Sequence, residues 1–383
     1  MRSLDEFACE KLSALDRAHL RRTPKVMTRK GIYAEREGRV LLSFSCNDYL
    51  NLSHHPAVIT AAVEATKRYG VGAGASRLVT GNHPLHAELE ERLRHLKSTE
   101  AACVFGSGYL ANTGIIPALT GSDDLILIDE LSHACLHAGA KLSGATVSRY
   151  RHCDIAHARS LLSENRAAHA KTLIATDGVF SMDGDMAPLH DLAELARQFD
   201  AWLLADDAHG LGVVGGGRGS TFANGGPADV PLQMGTLSKA IGAYGGYLCA
   251  SRPVIDLMRT RARTFIYSTG LPPAIAAACV AAIDLIERDQ AYVGEPMRKA
   301  RLFARALNLP EPQSAIVPLI LGDADSALAA ARALEEDGFL VVAIRPPTVP
   351  QGTARLRFAF TAGHSDSEIE RLAESVRGRV LGC

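Results

Sequence analysis

The segment Ala201-Trp202-Leu203-Leu204-Ala205-Asp206-Asp207-Ala208-His209 joins a short apolar run to a polar cluster. Similar apolar runs recur between helical patterns at 102–105, 125–128 and 172–175. This alternation is typical of an α/β fold with a mostly parallel sheet. Ligands of such sheets bind beyond the carboxyl ends of the strands, so we expect the polar or glycine-rich segments at 106–109, 177–181 and 206–209 to converge on one crevice.

The motif Thr236-Leu237-Ser238-Lys239, followed by a glycine-rich stretch, is a second candidate for this crevice. Pyridoxal phosphate needs a lysine amine to hold its aldehyde as an imine, and an acid that keeps its ring nitrogen protonated and electron-withdrawing. Lys239 and Asp206 are suited to these two tasks. Singly, each has a simpler explanation, because most lysines are solvated and many aspartates after strands only cap a helix. Together they predict a pyridoxal phosphate site.

Length and composition predict a globular protein of more than one domain. The 383 residues exceed one ordinary domain. The patterns divide them into an N-terminal helix and hairpin (1–50), a large cofactor-binding domain (51–288) and a small α+β domain (289–383). Hydrophobic residues make up 47% and charged residues 22%, as in soluble proteins. A net charge of −1 without a basic run argues against nucleic acid binding.

The chain carries no pattern typical of export or membrane insertion. Acids stand near the start, where a secretory signal would have a basic and then an apolar stretch. The longest apolar tract, 274–283, is shorter than the ~20 residues that span a bilayer, and we expect a buried helix there. Eight cysteines without a Cys-x-x-Cys pair indicate reduced thiols and a cytoplasmic location.

Two motifs favour other cofactors when taken alone. The sequence 210–215 is a literal G-x-G-x-x-G, but the glycine-rich 216–220 that follows it has poor helix propensity, so we expect a loop and no dinucleotide site. His133 and His137 have the spacing of a helical metal pair, yet no third ligand is evident. We therefore predict no metal.

Two further patterns each permit two explanations. The segment 106–112 is either an ordinary helix start or a turn whose backbone N–H groups receive a phosphate. Arg355 and Arg357 lie two apart in a strand pattern and share a face. That face is either a solvated edge or a place where an arginine binds a substrate carboxylate.

A set of short motifs along the chain resembles the α-oxoamine synthases, fold-type I pyridoxal phosphate enzymes, from about residue 21 to the end. The resemblance implies the α/β fold of these transferases, with a mostly parallel sheet in the large domain and a small C-terminal α+β domain. The motifs are Asn47-Asp48-Tyr49-Leu50, Gly81 with His86 and Leu89-Glu90, Gly108-Tyr109 with Asn112, Ser132-His133-Ala134, Gly178-Val179-Phe180-Ser181-Met182-Asp183-Gly184, Asp206 with His209-Gly210, and Thr236 with Lys239.

The resemblance also implies a role for each site residue. The catalytic set is Lys239 as the imine lysine, Asp206 at the pyridine nitrogen, His133 stacked on the ring, and His209. The other cofactor contacts are Ser181, which joins His209 near the phenolic oxygen, and Thr236, Gly108 and Tyr109 at the phosphate. The substrate contacts are Asn47 and Arg357 at the amino-acid carboxylate, with Arg21 and Thr353 at the acyl group. Ser268 and Thr269 are implied to reach the partner's phosphate in a homodimer with shared active sites.

Within the family, Ile344-Arg345-Pro346-Pro347-Thr348-Val349-Pro350, followed by 352–357, is most similar to the branch that joins L-alanine to a pimeloyl thioester in biotin synthesis. The thioester is carried by coenzyme A or a carrier protein. The alternatives are a sibling enzyme that uses glycine or serine, and a non-catalytic subunit, although such subunits usually lack the lysine. Asn51, Cys135 and Asp177 depart from residues common in the family, namely Gly, Ser and, in one relative, Glu.

Overall fold

A mostly parallel sheet lies at the centre of the chain and positions the candidate site. The computed structural model describes residues 3–17 and 20–382. The strands are β1 (Thr28–Lys30), β2 (Tyr33–Arg36), β3 (Arg39–Ser43), β4 (Ala101–Phe105), β5 (Leu125–Asp129), β6 (Thr146–Tyr150), β7 (Thr172–Asp177), β8 (Trp202–Asp206), β9 (Leu232–Thr236), β10 (Gly246–Ala250), β11 (Ile316–Gly322), β12 (Phe339–Leu340), β13 (Val342–Ile344) and β14 (Ala354–Ala359).

Helices cover this sheet and build the two ends of the chain. They are α1 (Leu4–Arg17), α2 (Pro56–Tyr69), α3 (Pro84–Leu96), α4 (Gly108–Leu119), α5 (Ala134–Ser143), α6 (Ile155–Asn165), α7 (Leu189–Gln198), α8 (Arg252–Arg261), α9 (Arg263–Ile266), α10 (Pro273–Arg288), α11 (Gln290–Ala306), α12 (Ala324–Glu336) and α13 (Asp366–Val376). The buried helix predicted around 274–283 is confirmed as α10, whose apolar face includes Ile283 and Ile286.

In the described part of the chain, the central sheet has seven strands in the order β4-β10-β9-β8-β7-β5-β6. The pairs from β9 to β6 are parallel, whereas β10 runs antiparallel to both β4 and β9. The four predicted apolar runs are confirmed as β4, β5, β7 and β8. The sequence patterns missed β6, β9 and β10. The signal in β9 is weak because Gln233 and Gly235 interrupt it, and β6 is a half-exposed edge strand.

Two smaller sheets are formed by strands near the two ends of the chain. One has the order β11-β14-β13, and the other joins the N-terminal strands β1-β2-β3 to β12. Strand β3 pairs in parallel with β12, so residues far apart in sequence share one sheet. Phe44 packs in one buried cluster with Phe303, Phe358 and Phe360. The N-terminal hairpin is therefore part of the core that the C-terminal segment builds.

Two other sequence predictions concern loops and membrane helices. The literal G-x-G-x-x-G at 210–215 forms turns and then a short 3-10 turn over Gly215–Gly217, which confirms the predicted loop. No helix in residues 3–17 and 20–382 is long and apolar enough to cross a membrane. The cysteines within these residues are free thiols. Cys383 lies outside the described residues.

Candidate active site

The carboxyl ends of β7, β8 and β9 bring several predicted site residues together. Asp177 and Asp206 are directly paired at the ends of β7 and β8, and Thr236 ends β9 next to them in the sheet. Parallel strands end at the same edge, so their last side chains face one crevice. The convergence expected from the sequence therefore occurs here.

Asp206 is a buried acid held in place by neutral donors. Only 4% of its surface is exposed. Its Oδ2 accepts from Asn112 Nδ2 at 2.7 Å, and its Oδ1 accepts from the Ala208 N–H at 3.0 Å. Within the described residues no cation lies within ion-pair distance of it. A buried acid without a cation is costly, so this position is suited to a ligand that brings a positive charge.

Lys239 begins a chain of hydrogen bonds between side chains. Its Nζ lies 2.7 Å from His209 Nε2, and His209 Nδ1 lies 2.7 Å from the Tyr49 hydroxyl. The Tyr49 hydroxyl also lies 3.3 Å from Asn47 Oδ1. Burial lowers the pKa of Lys239 to about 8, although Asp206 opposes this shift. Burial also moves the pKa of His209 well below its usual value and raises the pKa of Tyr49, so near neutral pH the histidine is uncharged and the tyrosine is protonated.

The two arginines of β14 have different partners. Arg357 Nε donates to the Ser181 carbonyl at 2.5 Å, and its Nη2 donates to Asn47 Oδ1 at 3.2 Å. Arg355 instead pairs with Asp183. Both arginines are buried, at 7% and 3% exposure, so the solvated-edge explanation is wrong. No acid of the described residues forms an ion pair with Arg357, which leaves its charge available to a ligand.

His133 lies at the start of α5, beside Asp206. Its backbone N–H donates to Asp177 Oδ1 at 3.1 Å, and its Nδ1 accepts from the Cys135 N–H at 3.3 Å. Burial, and then the charge of Asp206, raises the pKa of Asp177 well above its usual range. The Cys135 thiol accepts from Asn112 at 3.1 Å and lies 3.6 Å from Asp206 Oδ2, so it retains polar contacts at this position.

The start of α4 lies against the end of β9. Ser107 caps the helix by accepting from the Leu110 N–H at 3.1 Å. A Cβ on Gly108 would lie 3.3 Å from the Thr236 Cβ, so the backbone approaches this side chain closely. Thr236 Oγ1 donates to the Gly245 carbonyl at 2.8 Å. A helix N-terminus beside a threonine is suited to an anion such as phosphate.

Other predicted residues lie elsewhere. Arg21 is exposed and pairs with Asp16 at 2.8 Å. Thr353 is half-buried and donates to the Pro350 carbonyl at 2.8 Å. Ser268 is half-buried and Thr269 is exposed, on a segment that bridges to Ser76.

The geometry adds two side chains that the sequence patterns did not assign to the site. Asn112 orients Asp206, and Tyr49 links His209 to Asn47. Both belong to motifs quoted for the family resemblance, Gly108-Tyr109 with Asn112 and Asn47-Asp48-Tyr49-Leu50, which was the available signal. Their partners are 94 and 160 residues away in the chain, so only the folded structure shows what they contact.

Comparisons with known proteins identify the family of this chain. The aminotransferase class I and II family model matches residues 39–376. The chain belongs to this family and, within it, to the α-oxoamine synthases, acyltransferases that use pyridoxal phosphate.

Among relatives, the 8-amino-7-oxononanoate synthase of Beijerinckia indica subsp. indica is 63% identical over 98% of both chains. That of Methylocella silvestris is 66% identical over 90% of this chain and 98% of its own. The structure also resembles a serine palmitoyltransferase from S. paucimobilis solved with PLP and myriocin bound, with a TM-score of 0.91, 28% identity, and coverage of 99% of this chain and 100% of that one.

Proposed function

We propose that the chain condenses L-alanine with a pimeloyl thioester to give 8-amino-7-oxononanoate, carbon dioxide and the free thiol. Relatives at 63% and 66% identity carry the name of that product. The observation that carries the proposal is a crevice with two buried charges of opposite sign that lack ion-pair partners among the described residues, Asp206 and Arg357, with Lys239 nearby. These two charges match a ring cation and a substrate carboxylate.

The residues present fit pyridoxal phosphate. Lys239 would bind its aldehyde, Asp206 would hold its ring nitrogen, and the start of α4 with Thr236 would hold its phosphate. When bound, the cofactor withdraws electrons from the Cα of an attached amino acid and so makes that C–H bond acidic. We keep His133 as the ring-stacking residue, and Ser181 and Tyr109 as further contacts.

Lys239 is the group proposed to remove the Cα proton. Its pKa of about 8 means that a useful fraction of the amine is neutral near physiological pH. Tyr49, which stays protonated, can donate to His209 Nδ1 at 2.7 Å, and this keeps the imidazole proton on Nε2, next to the lysine amine. A neutral His209 orients the amine without adding a competing positive charge.

Arg357 and Asn47 are proposed to bind the alanine carboxylate. Arg357 already meets Asn47 at 3.2 Å, so the two side chains present donors to the same place. Arg21 and Thr353 remain the proposed acyl contacts, although neither forms part of the crevice described above.

We also propose a homodimer in the cytoplasm. Large apolar side chains are exposed beside Ser268 and Thr269 and on the 71–79 segment, which bridges to Thr269 through Ser76, with Val71 81%, Val79 74% and Tyr267 71% exposed. An apolar surface of this kind is typical of a protein interface. Ser268 and Thr269 lie on the same surface and would add hydroxyls to the neighbouring phosphate. The free thiols of the described cysteines are in keeping with a reducing compartment.

One alternative substrate is favoured by a specific observation. The structural similarity to a serine palmitoyltransferase keeps L-serine as the second candidate. Product analysis by mass spectrometry separates the two, with pimeloyl-coenzyme A supplied together with L-alanine, glycine or L-serine in turn. We expect the mass of 8-amino-7-oxononanoate with alanine, and no product from Lys239→Ala. A higher rate with serine or glycine would refute the proposed substrate.

A further inference from the structure

His152 lies between two acids, one at the end of β5 and one in the loop that follows β7. Its Nδ1 is 3.1 Å from Asp129 Oδ1, and its Nε2 is 2.7 Å from Asp185 Oδ2. Asp129 is fully buried at the end of β5, whereas Asp185 belongs to the loop between β7 and α7. Both ring nitrogens thus face carboxylates, and the ring stands edge-on to Phe180 at 4.3 Å between centroids.

The loop that His152 contacts, residues 178–188, is tightly folded. Its two arms are joined by the Val179–Met186 bridge and by the hydrogen bond from the Phe180 N–H to the Asp185 carbonyl at 2.9 Å. Gly184 adopts a φ of +76°, and a Cβ there would lie 2.4 Å from the Ile316 carbonyl oxygen. The loop therefore packs between the central sheet and β11.

The same loop carries the acceptor that orients Arg357. The Ser181 carbonyl accepts from Arg357 Nε at 2.5 Å, and the Met182 carbonyl accepts from Arg355 at 3.2 Å. A displacement of the loop would move these carbonyls and, with them, the guanidinium of Arg357. His152 is thus connected to the proposed carboxylate contact through Phe180 and Asp185.

We propose that His152 is a positioning residue for amino-acid binding. It holds the 178–188 loop against the sheet and thereby fixes the position of the Arg357 guanidinium. This inference rests on the proposed role of Arg357. The other charged or titratable groups that face His152 are Glu130, which accepts from its backbone N–H at 3.1 Å, and the Cys153 thiol, 3.7 Å from its Nε2. Both acids and the ring belong to different segments, so the contact joins three parts of the fold.

The test compares His152→Ala with His190→Ala, an exposed histidine on α7, the helix that follows the loop. Both are studied as holoenzymes. The dissociation constant of L-alanine is measured from the cofactor absorbance without thioester, beside the KM of the thioester and the dissociation constant of pyridoxal phosphate. Because small displacements of a binding group are costly, we expect alanine binding to weaken by about tenfold in His152→Ala. The other two constants should stay within about twofold, and His190→Ala should match the wild type.

A double-mutant cycle then tests the route through Arg357. In the Arg357→Lys background, the effect of His152→Ala on alanine binding should fall below about twofold, because the planar guanidinium that His152 positions is absent. Additive effects, or an equal loss of cofactor and thioester binding, would overturn the proposal. If His152→Ala does not fold, Asp185→Asn removes one charge at nearly constant size and must show the same selective loss. A wild-type protein that fails to bind alanine would instead refute the proposed function.

Discussion

The two arginines of β14 should differ in what their removal affects: one variant should lose mainly alanine binding, and the other mainly stability. We expect Arg357→Ala to weaken L-alanine binding while it leaves the free energy of unfolding nearly unchanged. We expect Arg355→Ala to lower the free energy of unfolding and to affect alanine binding much less. The reason is the difference in partners, since Arg355 pairs with Asp183 and Arg357 bonds only neutral acceptors among the described residues.

The magnitudes follow from burial and pairing. A partly desolvated pair between Arg357 and a carboxylate is worth about 2–4 kcal/mol, or about 30- to 1,000-fold in dissociation constant. Losing Arg357 leaves no protein acid unpaired, so stability should change little. Losing Arg355 leaves Asp183 without its cation. Leaving a fully buried acid unpaired would lower the free energy of unfolding by about 3–5 kcal/mol. Because 27% of the Asp183 side chain is exposed, we expect Arg355→Ala to lower it by about 1–3 kcal/mol.

Two measurements on each variant test this pair of expectations. Titration of the holoenzyme with L-alanine, followed by absorbance, gives the dissociation constant, and urea unfolding gives the free energy. Arg357→Lys serves as the control, because it keeps the charge but loses the planar fork, and alanine affinity should be intermediate. If Arg355→Ala weakens alanine binding more than Arg357→Ala does, the assignment of Arg357 to the carboxylate is wrong.

Four further outcomes are expected. The rate at which the apoenzyme binds pyridoxal phosphate should rise with pH, and the midpoint of this rise should lie near the pKa of Lys239, about 8. Lys239→Ala should leave no linkage that borohydride can reduce. Asp206→Asn should slow the alanine-driven absorbance change at least about 100-fold with little effect on unfolding, and an unchanged rate would contradict its electronic role. Thr269→Ala should weaken both pyridoxal phosphate binding and dimerisation in sedimentation runs, whereas an active wild-type monomer would contradict the shared site. Burial alone lowers the pKa of His152, but its hydrogen bonds to two acids raise that pKa from 6.5 to about 12. The contribution of His152 to the free energy of unfolding is therefore full below pH 6.5 and is lost as the pH rises to about 12. Urea unfolding of wild type and His152→Gln should therefore show a difference that shrinks over that window.

The sequence predicted four of the seven strands described in the central sheet, and it predicted that polar side chains gather at their carboxyl edge. Strands buried on both faces need nearly continuous apolar residues, so β4, β5, β7 and β8 were recognisable as short apolar runs. Few side chains suit an imine or a ring cation, so Lys239 and Asp206 were recognisable by residue type and order. The same reasoning did not find β9, because a buried strand that contains Gln233 and Gly235 lacks the apolar signal.

Which side chains meet was decided by the tertiary structure alone. Strand periodicity places Arg355 and Arg357 on one face, and it cannot tell which acid or carbonyl lies opposite each. That choice depends on the 178–188 loop, which presents Asp183 to one arginine and the Ser181 carbonyl to the other, across 172 and 176 residues of the chain. Local sequence determines which residues can carry charge and which segments can be strands, whereas the partner of each buried charge depends on packing between distant segments.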